Sequence, residues 1–384
     1  MSEMVKLGDV CNVTNGYAFD SERFTESKKG LPLIRVRDVV RGFSKTYTTE
    51  GYADRYLIQN GDYLIGMDGD FNLGVWRGGT ALLNQRVCKI SITSHKVVEK
   101  YLLYYLPRVL KEIGNKTSFS TVKHLSSKNI SEIEIPLFSL TEQNHIVKIL
   151  DTISSIIAKR KQQITMLDEV EKSLFVEMFG DPVENPKGWE AIELSAVGQD
   201  AESIKCGPFG TQLTKSEYID NGIPIWAIPQ ISSHFALPPY AYISVEKAEE
   251  LSQYSAIPGD ILMSRKGTIG KCALYPKSYP SGVIHSDVLR IRPDTNIANS
   301  VFITHQLHNS QYVKGQVDVI SNGAIMKGIN VTKLSKIKIH LPPKSLQDEY
   351  EDKISKIQCQ RVTLESAISR MIESYNALMQ QYFG

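Results

Sequence analysis

Residues 131–143 read SEIEIPLFSLTEQ, and residues 335–347 read SKIKIHLPPKSLQ. In both, Ser-x-Ile-x-Ile-x-Leu alternates apolar with polar residues, the period of a short half-buried strand. A proline interrupts the strand and a helix start follows, with Gln143 answered by Gln347. A chain of 384 residues that states one joint twice is built as an internal repeat.

The offset of 204 between the joints also links Lys123 to Lys327, Ile153 to Ile357, Ile164 to Ile368, Leu174 to Leu378 and Phe179-Gly180 to Phe383-Gly384. About sixty residues at the end of each half therefore align without a gap. Nearer the front the offset drifts. GLPLIRV (30–36) matches GIPIWAI (222–228) at 192, NGDYLIG (60–66) resembles PGDILMS (258–264) at 198, and Val5-Lys6-Leu7 matches Ile192-Glu193-Leu194 at 187. Insertions confined to the front of each half are loops varying on a retained framework.

After Thr141 the apolar residues step by fours and threes through Ile146, Leu150, Ile153, Ile157, Ile164, Leu167, Leu174 and Met178, with Arg160 and Glu171 at the missing steps. The second copy runs Tyr350, Ile354, Ile357, Leu364, Ile368, Met371, Tyr375, Leu378 and Tyr382, interrupted by Arg361. This is the seam of a coiled coil, narrower than the stripe of a helix lying on a large core. Ser139 with Glu142 fits a capping box, Ser345 is the expected N-cap of the second helix, and Gly180 is a C-terminal stop. DPVENPKGW (181–189) then reads as a linker. Each helix spans about 39 residues, or roughly 58 Å. The seams match in length and are expected to pack on each other. Antiparallel pairing would give a pseudo-twofold axis with one variable domain at each end of a spacer. Helices that only brace their domains, or that dimerise with another chain, are the alternatives. The expected fold class is α+β.

Composition is that of an ordinary soluble chain, 42% hydrophobic and 22% charged. No signal-peptide stretch or membrane-length apolar run occurs. The cysteines Cys11, Cys88, Cys206, Cys272 and Cys359 are scattered, without a C-x-x-C, which points to buried structural thiols in a reducing cytoplasm. A net charge of +2 places any polyanion contact in local patches.

Catalytic motifs are missing. GTIGKCA (267–273) lacks the phosphate-cradling G-x-x-x-x-G-K-[ST] frame, and neither H-E-x-x-H nor G-x-S-x-G occurs. His305 and His308, three apart without an acidic or Cys partner nearby, read as plain helix surface. ALPPY (236–240) approximates the Asn/Asp-Pro-Pro-aromatic motif of amino-methylating DNA methyltransferases. Leu237, however, stands where an amide or carboxylate must accept from the base's amino group, so a turn is expected.

Recognition chemistry remains. No acidic residue occurs from Ile261 to Ser286, where Arg265, Lys266, Lys271 and Lys277 are interleaved with Ser, Thr, Gly and two tyrosines. Small residues let backbone N–H groups approach phosphate while cations release counterions; a solvated basic loop is the competing account. The corresponding first-half segment, IGMDGDFNLGVWRGGTALLNQRV (65–87), carries Asp68, Asp70, Phe71 and Trp76, and its Asn84, Gln85 and Arg86 can each contact a base edge. IRVRDV (34–39) adds Arg35 and Arg37 on one face of an alternating strand, where the second half has Ala227 and Pro229. Candidate DNA contacts are thus Tyr17, Arg35, Arg37, Asn84, Gln85 and Arg86, then Arg265, Lys266, Thr268 and Lys271. No metal ligands are expected.

Taken together, LPLIRVRDV (31–39), NGDYLIGMDGDFNLGVW (60–76) with ALLNQRV (81–87), ISEIEIPLFSLTEQNHIVKILD (130–151) and IPGDILMSRKGTIGKCAL (257–274) resemble the specificity subunits of type I restriction-modification systems. The resemblance covers essentially the whole chain and includes the order reader, joint, helix, repeated. It implies target recognition domains at 1–140 and, after a linker, within 181–344, with spacer helices at 141–180 and 345–384 paired antiparallel. It further implies binding to double-stranded DNA with two unlike half-sites, and docking of two methyltransferase subunits and of restriction/translocase subunits. No catalysis and no cofactor are implied for this chain, S-adenosylmethionine, ATP and Mg belonging to the partners. The second joint departs from the family's usual Leu-Pro-Pro-Leu-x-x-Gln by carrying Lys344 and Asp348. Competing classes are a stand-alone pseudo-dimeric DNA-binding regulator, a methyltransferase or nuclease in its own right, and a protein scaffold.

Overall fold

The computed structural model describes residues 3–116, 124–322 and 328–384 and divides into two compact units, Met1–Arg160 with Ala367–Gly384, and Lys161–Ser366. The Lys123/Lys327 pair of the repeat lies outside the described residues.

Unit 1 carries β1 (Glu3–Lys6), β2 (Cys11–Asn15), β3 (Leu31–Ile34), β4 (Tyr47–Thr48), β5 (Leu57–Ile58), β6 (Tyr63–Gly66), β7 (Leu73–Val75), β8 (Ala81–Leu83), β9 (Val87–Ile92) and β10 (Glu134–Leu137). Unit 2 carries β11 (Glu190–Glu193), β12 (Ile204–Cys206), β13 (Ile223–Trp226), β14 (Tyr242–Ile243), β15 (Ser255–Ala256), β16 (Ile261–Ser264), β17 (Cys272–Leu274), β18 (Gly282–Ile284), β19 (Val288–Ile291) and β20 (Lys338–Leu341). The sheet orders are β2-β9-β6-β7, β4-β3-β8-β5 and β1-β10 in one, and β12-β19-β16-β17, β14-β13-β18-β15 and β11-β20 in the other. Adding ten to each label of the first unit gives the second. The repeat is a repeat of topology.

Each repeated phrase has a structural task. Val5 pairs with Ile135 across β1 and β10, and Ile192 with Ile339 across β11 and β20, so the first phrase of each half is hydrogen-bonded to its joint. The Leu7 and Leu194 amides donate to the carbonyls of Ile133 and Ile337, both at 2.7 Å. In NGD and PGD, Gly61 (φ 97°) and Gly259 (φ 95°) take the left-handed conformation that glycine tolerates. The following carboxylates, Asp62 and Asp260, accept from the Gln59 and Ile257 amides at 2.8 Å and close the turn.

Gln143 and Gln347 are fully buried. Gln143 accepts from the Val98 amide and donates to the carbonyls of Lys96 and Phe138, all at 2.8 Å. Gln347 accepts from the Asn299 amide and donates to the Pro342 carbonyl, again at 2.8 Å. The glutamine ties the first turn of each long helix to the segment leading into another helix, Glu99–Lys116 in unit 1 and Ser300–Asn309 in unit 2. Lys344 and Asp348 leave this arrangement intact by pairing with each other at 2.5 Å, Asp348 also accepting from Asn299 at 2.8 Å.

The long helices run Leu140–Phe179 and Lys344–Phe383. The expected capping box forms: the Ser139 hydroxyl donates to Glu142 (2.8 Å) and accepts from its amide (3.3 Å). Ser345, expected as an N-cap, lies inside the second helix. The repeat puts Pro343 in the cap position, where its carbonyl accepts from the Leu346 and Gln347 amides. Gly180, φ 83°, stops the first helix as expected, and its amide donates to the Val176 carbonyl. The linker after it is docked, with the Lys187 ammonium on the carbonyls of Glu177 and Met178 and the Trp189 indole on that of Phe179. A cation at a helix C-terminus is favourably placed.

Within each unit the two helices form an antiparallel coiled coil. In unit 2, Phe175 meets Tyr350 while Asp168 meets Arg361, so one sequence rises as the other falls. In unit 1, Ile146 and Leu150 share a core with Tyr375, Leu378 and Phe383. Every other seam residue named above is buried or half-buried: Ile153, Ile157, Ile164, Leu167, Leu174, Met178, Ile354, Ile357, Leu364, Ile368, Met371 and Tyr382. The expectation of a narrow seam fails at the helix ends. There Val147, Phe175, Phe179 and Phe383 widen the apolar stripe because the helix lies on the core of its domain.

Other expectations are corrected. Arg35 and Arg37 do not share a strand face: β3 stops at Ile34 and Val36–Arg41 is a short helix. His305 is buried, stacked on Phe175 with ring centroids 4.3 Å apart and hydrogen-bonded to the Tyr350 hydroxyl at 2.7 Å, because its helix is covered by both long helices. Cys11, Cys88, Cys206 and Cys272 are buried free thiols, but Cys359, on an outward helix position, is exposed. Leu237 lies exposed in an irregular bend. Among the described residues no helix is long and apolar enough to cross a membrane, and no cluster of metal-ligating side chains occurs.

Candidate nucleic-acid interface

Three segments of unit 1 converge on an open cleft of about 760 Å³. The first is the end of β3. Its continuation turns into helix Val36–Arg41 because the buried Asp38 carboxylate accepts from the Arg35 amide at 3.0 Å, leaving the Arg35 and Arg37 side chains in the cleft wall. Arg37, half-exposed, reaches Thr46 Oγ1 at 3.3 Å.

The second segment is the turn Asn84-Gln85-Arg86 between β8 and β9. The Val87 amide closes it onto the Asn84 carbonyl (2.9 Å), and the Gln85 amide ties it to the Tyr17 carbonyl (2.8 Å). Gly16 packs so closely that a Cβ there would lie 2.1 Å from the Asn84 carbonyl oxygen. Asn84 is buried in the cleft floor while Gln85 and Arg86 project. The third segment is the loop between β6 and β7. The Met67 amide donates to the Arg86 carbonyl (2.9 Å), which sets Asp68 beside Arg86 at 3.2 Å; the same carboxylate meets His124 Nδ1 at 2.7 Å. Of the first-half candidates, Arg35, Arg37, Asn84, Gln85 and Arg86 line one cleft. Tyr17 does not; it stands beside it, exposed, against Phe19 and Tyr56, and Arg55 lies over the Tyr56 ring.

Unit 2 builds the same frame from other residues. Gly207 packs on the His285 carbonyl as Gly16 packs on Asn84, and the Val288 amide closes the turn His285-Ser286-Asp287 at 2.9 Å. The Arg265 amide donates to the Asp287 carbonyl (3.0 Å), the counterpart of Met67 to Arg86. Lys266 therefore occupies the place of Asp68, and Asp287 that of Arg86, their charged atoms 2.8 Å apart. The sign of the pair is reversed between the units.

The remaining second-half candidates separate. Arg265 turns inward, its guanidinium donating to Cys206 Sγ (3.1 Å) and the Ser286 carbonyl (3.4 Å) and lying over the Phe209 ring. Thr268 and Lys271 stay exposed on the loop with Lys266, Thr268 Oγ1 lying 3.4 Å from Ser232 Oγ. Burial pushes the His285 imidazole below its usual pKa, Lys266 and Lys215 adding to the effect and Asp287 opposing it. Sequence reading passed over Asp287 and His124. The signal for Asp287 was its position, the residue immediately after the acid-free run.

The sequence matches the family described as type I restriction modification DNA specificity domain over residues 1–166 and 186–374. The chain belongs to that family. Among curated relatives, the EcoBI specificity subunit of a type I restriction enzyme from Escherichia coli is 28% identical, the alignment covering 98% of this chain and 83% of the relative. The MjaVIII specificity subunit of Methanocaldococcus jannaschii is 22% identical over 92% of this chain and 85% of that one. The crystal structure of a type I restriction-modification S subunit from M. genitalium superposes with a TM-score of 0.61 at 13% identity, covering 100% of this chain and 96% of that one. A chain from a structural study of complex assembly and conformational transition in a type I R-M system gives 0.58 at 15% identity, covering 99% and 97%. At such identities the likeness concerns the fold, two repeated domains joined to a pair of long helices. The cleft of unit 1 and the equivalent turn of unit 2 lie one in each of the two family-matched segments.

Proposed function

We propose that this chain is the non-catalytic sequence-specificity subunit of a type I restriction-modification complex, and that it selects an asymmetric bipartite DNA target. Residues 1–140 and the domain within 181–344 would each read one half-site, and the helices at 141–180 and 345–384 would space them and dock two methyltransferase subunits, to which restriction/translocase subunits are added. S-adenosylmethionine, ATP and Mg would be held by those partners. One observation carries the reading: two domains share every sheet and strand order yet present unlike side chains, Asn84-Gln85-Arg86 against His285-Ser286-Asp287, from the same turn. A duplicated frame with diverged contact groups suits two different sequences, since phosphate contacts position a protein and base-edge contacts specify. Half-sites read from one side of B-DNA lie about 34 Å apart or at a multiple of that.

The test is methylome sequencing of methylation-free cells carrying this chain with its methyltransferase partner. A single adenine-methylated motif of two unlike halves and a fixed gap is the expected result. Its absence, or equal sequence selection by the isolated chain without a methyltransferase, would overturn the reading, the latter in favour of a stand-alone regulator.

A further inference from the structure

We infer that the charge-reversed pairs Arg86–Asp68 and Lys266–Asp287 each read a G·C base pair in the major groove, and that the reversal makes the two domains take that pair in opposite orientations relative to their own sheets. This rests on the DNA-specificity reading above.

The positions are equivalent by hydrogen bonding as well as by alignment. In both domains one residue of each pair lies at the end of the turn and its partner follows the residue whose amide donates to that turn (2.9 and 3.0 Å). Both cations are about half exposed (50% and 54%) and both carboxylates about a third (31% and 29%); Asp287 Oδ1, which faces Lys266, is itself buried, so in the second pair it is the rest of the carboxylate that can be approached. A carboxylate on a surface that meets DNA is repelled by phosphate and gains only where it meets a donor. In the major groove those donors are the amino groups of cytosine and adenine.

G·C presents guanine N7 and O6, two acceptors side by side, next to the cytosine N4 donor. The O6 and N4 atoms are themselves hydrogen-bonded, about 2.9 Å apart. A cation and a carboxylate about 3 Å apart match that edge, the cation on O6 and N7 and the carboxylate on N4. A·T fits worse. Beyond its N6 donor, adenine offers N7, an acceptor that repels the carboxylate, and beyond thymine O4 the cation meets a methyl group. Asp68 keeps lone pairs for the base because Arg86 and His124 do not exhaust a carboxylate's roughly four acceptor sites. Exchanging cation and carboxylate on an unchanged frame exchanges the strands on which guanine and cytosine must lie. Arg86 can fork onto O6 and N7, whereas Lys266 is a point charge, so the first domain should discriminate more sharply.

The test uses the full chain with its methyltransferase partner and a duplex bearing the motif found by methylome sequencing. Inverting one particular G·C pair in each half-site should weaken binding about 5- to 150-fold, more in the half-site read by the first domain. The double variant D68R/R86D should then prefer the inverted pair in that half-site alone, and K266D/D287K in the other, with the gap unchanged. Should a double variant yield no methylated motif, D68N and R86Q decide, and each must erode discrimination at that same single base pair. A half-site without G·C, an exchange that changes no preference, or one that alters an A·T position or the wrong half-site, would overturn the inference. Absence of any motif from the unaltered chain would instead overturn the specificity reading beneath it.

Discussion

Replacing Gln143 by Leu keeps the volume of the side chain but strips three hydrogen bonds from the first joint. The Val98 amide and the carbonyls of Lys96 and Phe138, each now satisfied at 2.8 Å, would be left without partners. A buried polar group left unpaired costs about 1–3 kcal/mol, and these are partly rather than wholly enclosed, so about 3 kcal/mol in total is expected. Gln347→Leu removes two bonds that are fully buried and should cost about 2–4 kcal/mol. Gln163→Leu, on an exposed face of the same helix as Gln143, is the control and should stay within about 0.5 kcal/mol. Urea unfolding by circular dichroism gives the stabilities, and hydrogen exchange at the Val98 amide reports the joint directly. Gln143→Glu sharpens the test. A carboxylate facing two carbonyls has a folded-state pKa above its unfolded value of about 4.3. Below that value the group is neutral in both states and the penalty is smallest; it grows as the pH rises toward the folded pKa. A Gln143→Leu protein within 0.5 kcal/mol of the parent, or a Gln143→Glu protein indifferent to pH, would refute the view that this glutamine holds the joint.

Arg361→Leu should lower the stability of unit 2 by about 1–3 kcal/mol, between the values for exposed and buried pairs, because Asp168 (2.5 Å) and Glu171 (3.7 Å) lose their cation; adding D168N/E171Q should recover most of it in the same urea assay. His285, His308 and His340 all have pKa values depressed, chiefly by burial, with Lys266 and Lys215 adding at His285, and His234, Lys314, His305 and Lys271 at His308. The unfolded chain binds more protons there, so the stability of unit 2 is full above about pH 6.5 and falls as the pH drops below it, which Trp189 and Trp226 fluorescence on acid titration should register. Deleting one heptad from the middle of each long helix shortens the pair by about 10 Å, or about three base pairs. Selection on randomised DNA should then return both half-sites with a shorter gap and, since the half-sites turn around the duplex, weaker binding; recovery of the original gap would sink the ruler.

The duplication was legible because it is periodic: offset, heptads and the NGD/PGD turns each reappear as paired structure, while the capping box forms in the first copy alone. The cleft was partly legible, since Asn84, Gln85 and Arg86 are adjacent in sequence and chain connectivity alone brings them together. Their carboxylate partner was not, because Asp68 and Arg86 meet only through the register of strands joined elsewhere, as do Lys266 and Asp287. Arg35 and Arg37 misled for a local reason. Ile-Arg-Val-Arg alternates as a strand does, and what ends the strand is the Asp38 carboxylate accepting from the Arg35 amide. Of the three breaks in the seam, Glu171 and Arg361 show what sequence holds and what only geometry releases. A parallel pairing in register with the repeat would set Glu171 against Tyr375 and Arg361 against Ile157, leaving each charge facing apolar surface. Antiparallel packing in unit 2 instead brings them within 3.7 Å of each other, with Asp168 closer still. Glu171 and Arg361, which spoil the heptad pattern in isolation, are complementary in one direction of packing and unpaired in the other, whereas the Arg160 Nε is buried without a hydrogen-bond partner. Charge thus sets the direction of a seam that its apolar residues, nearly the same in both copies, leave open.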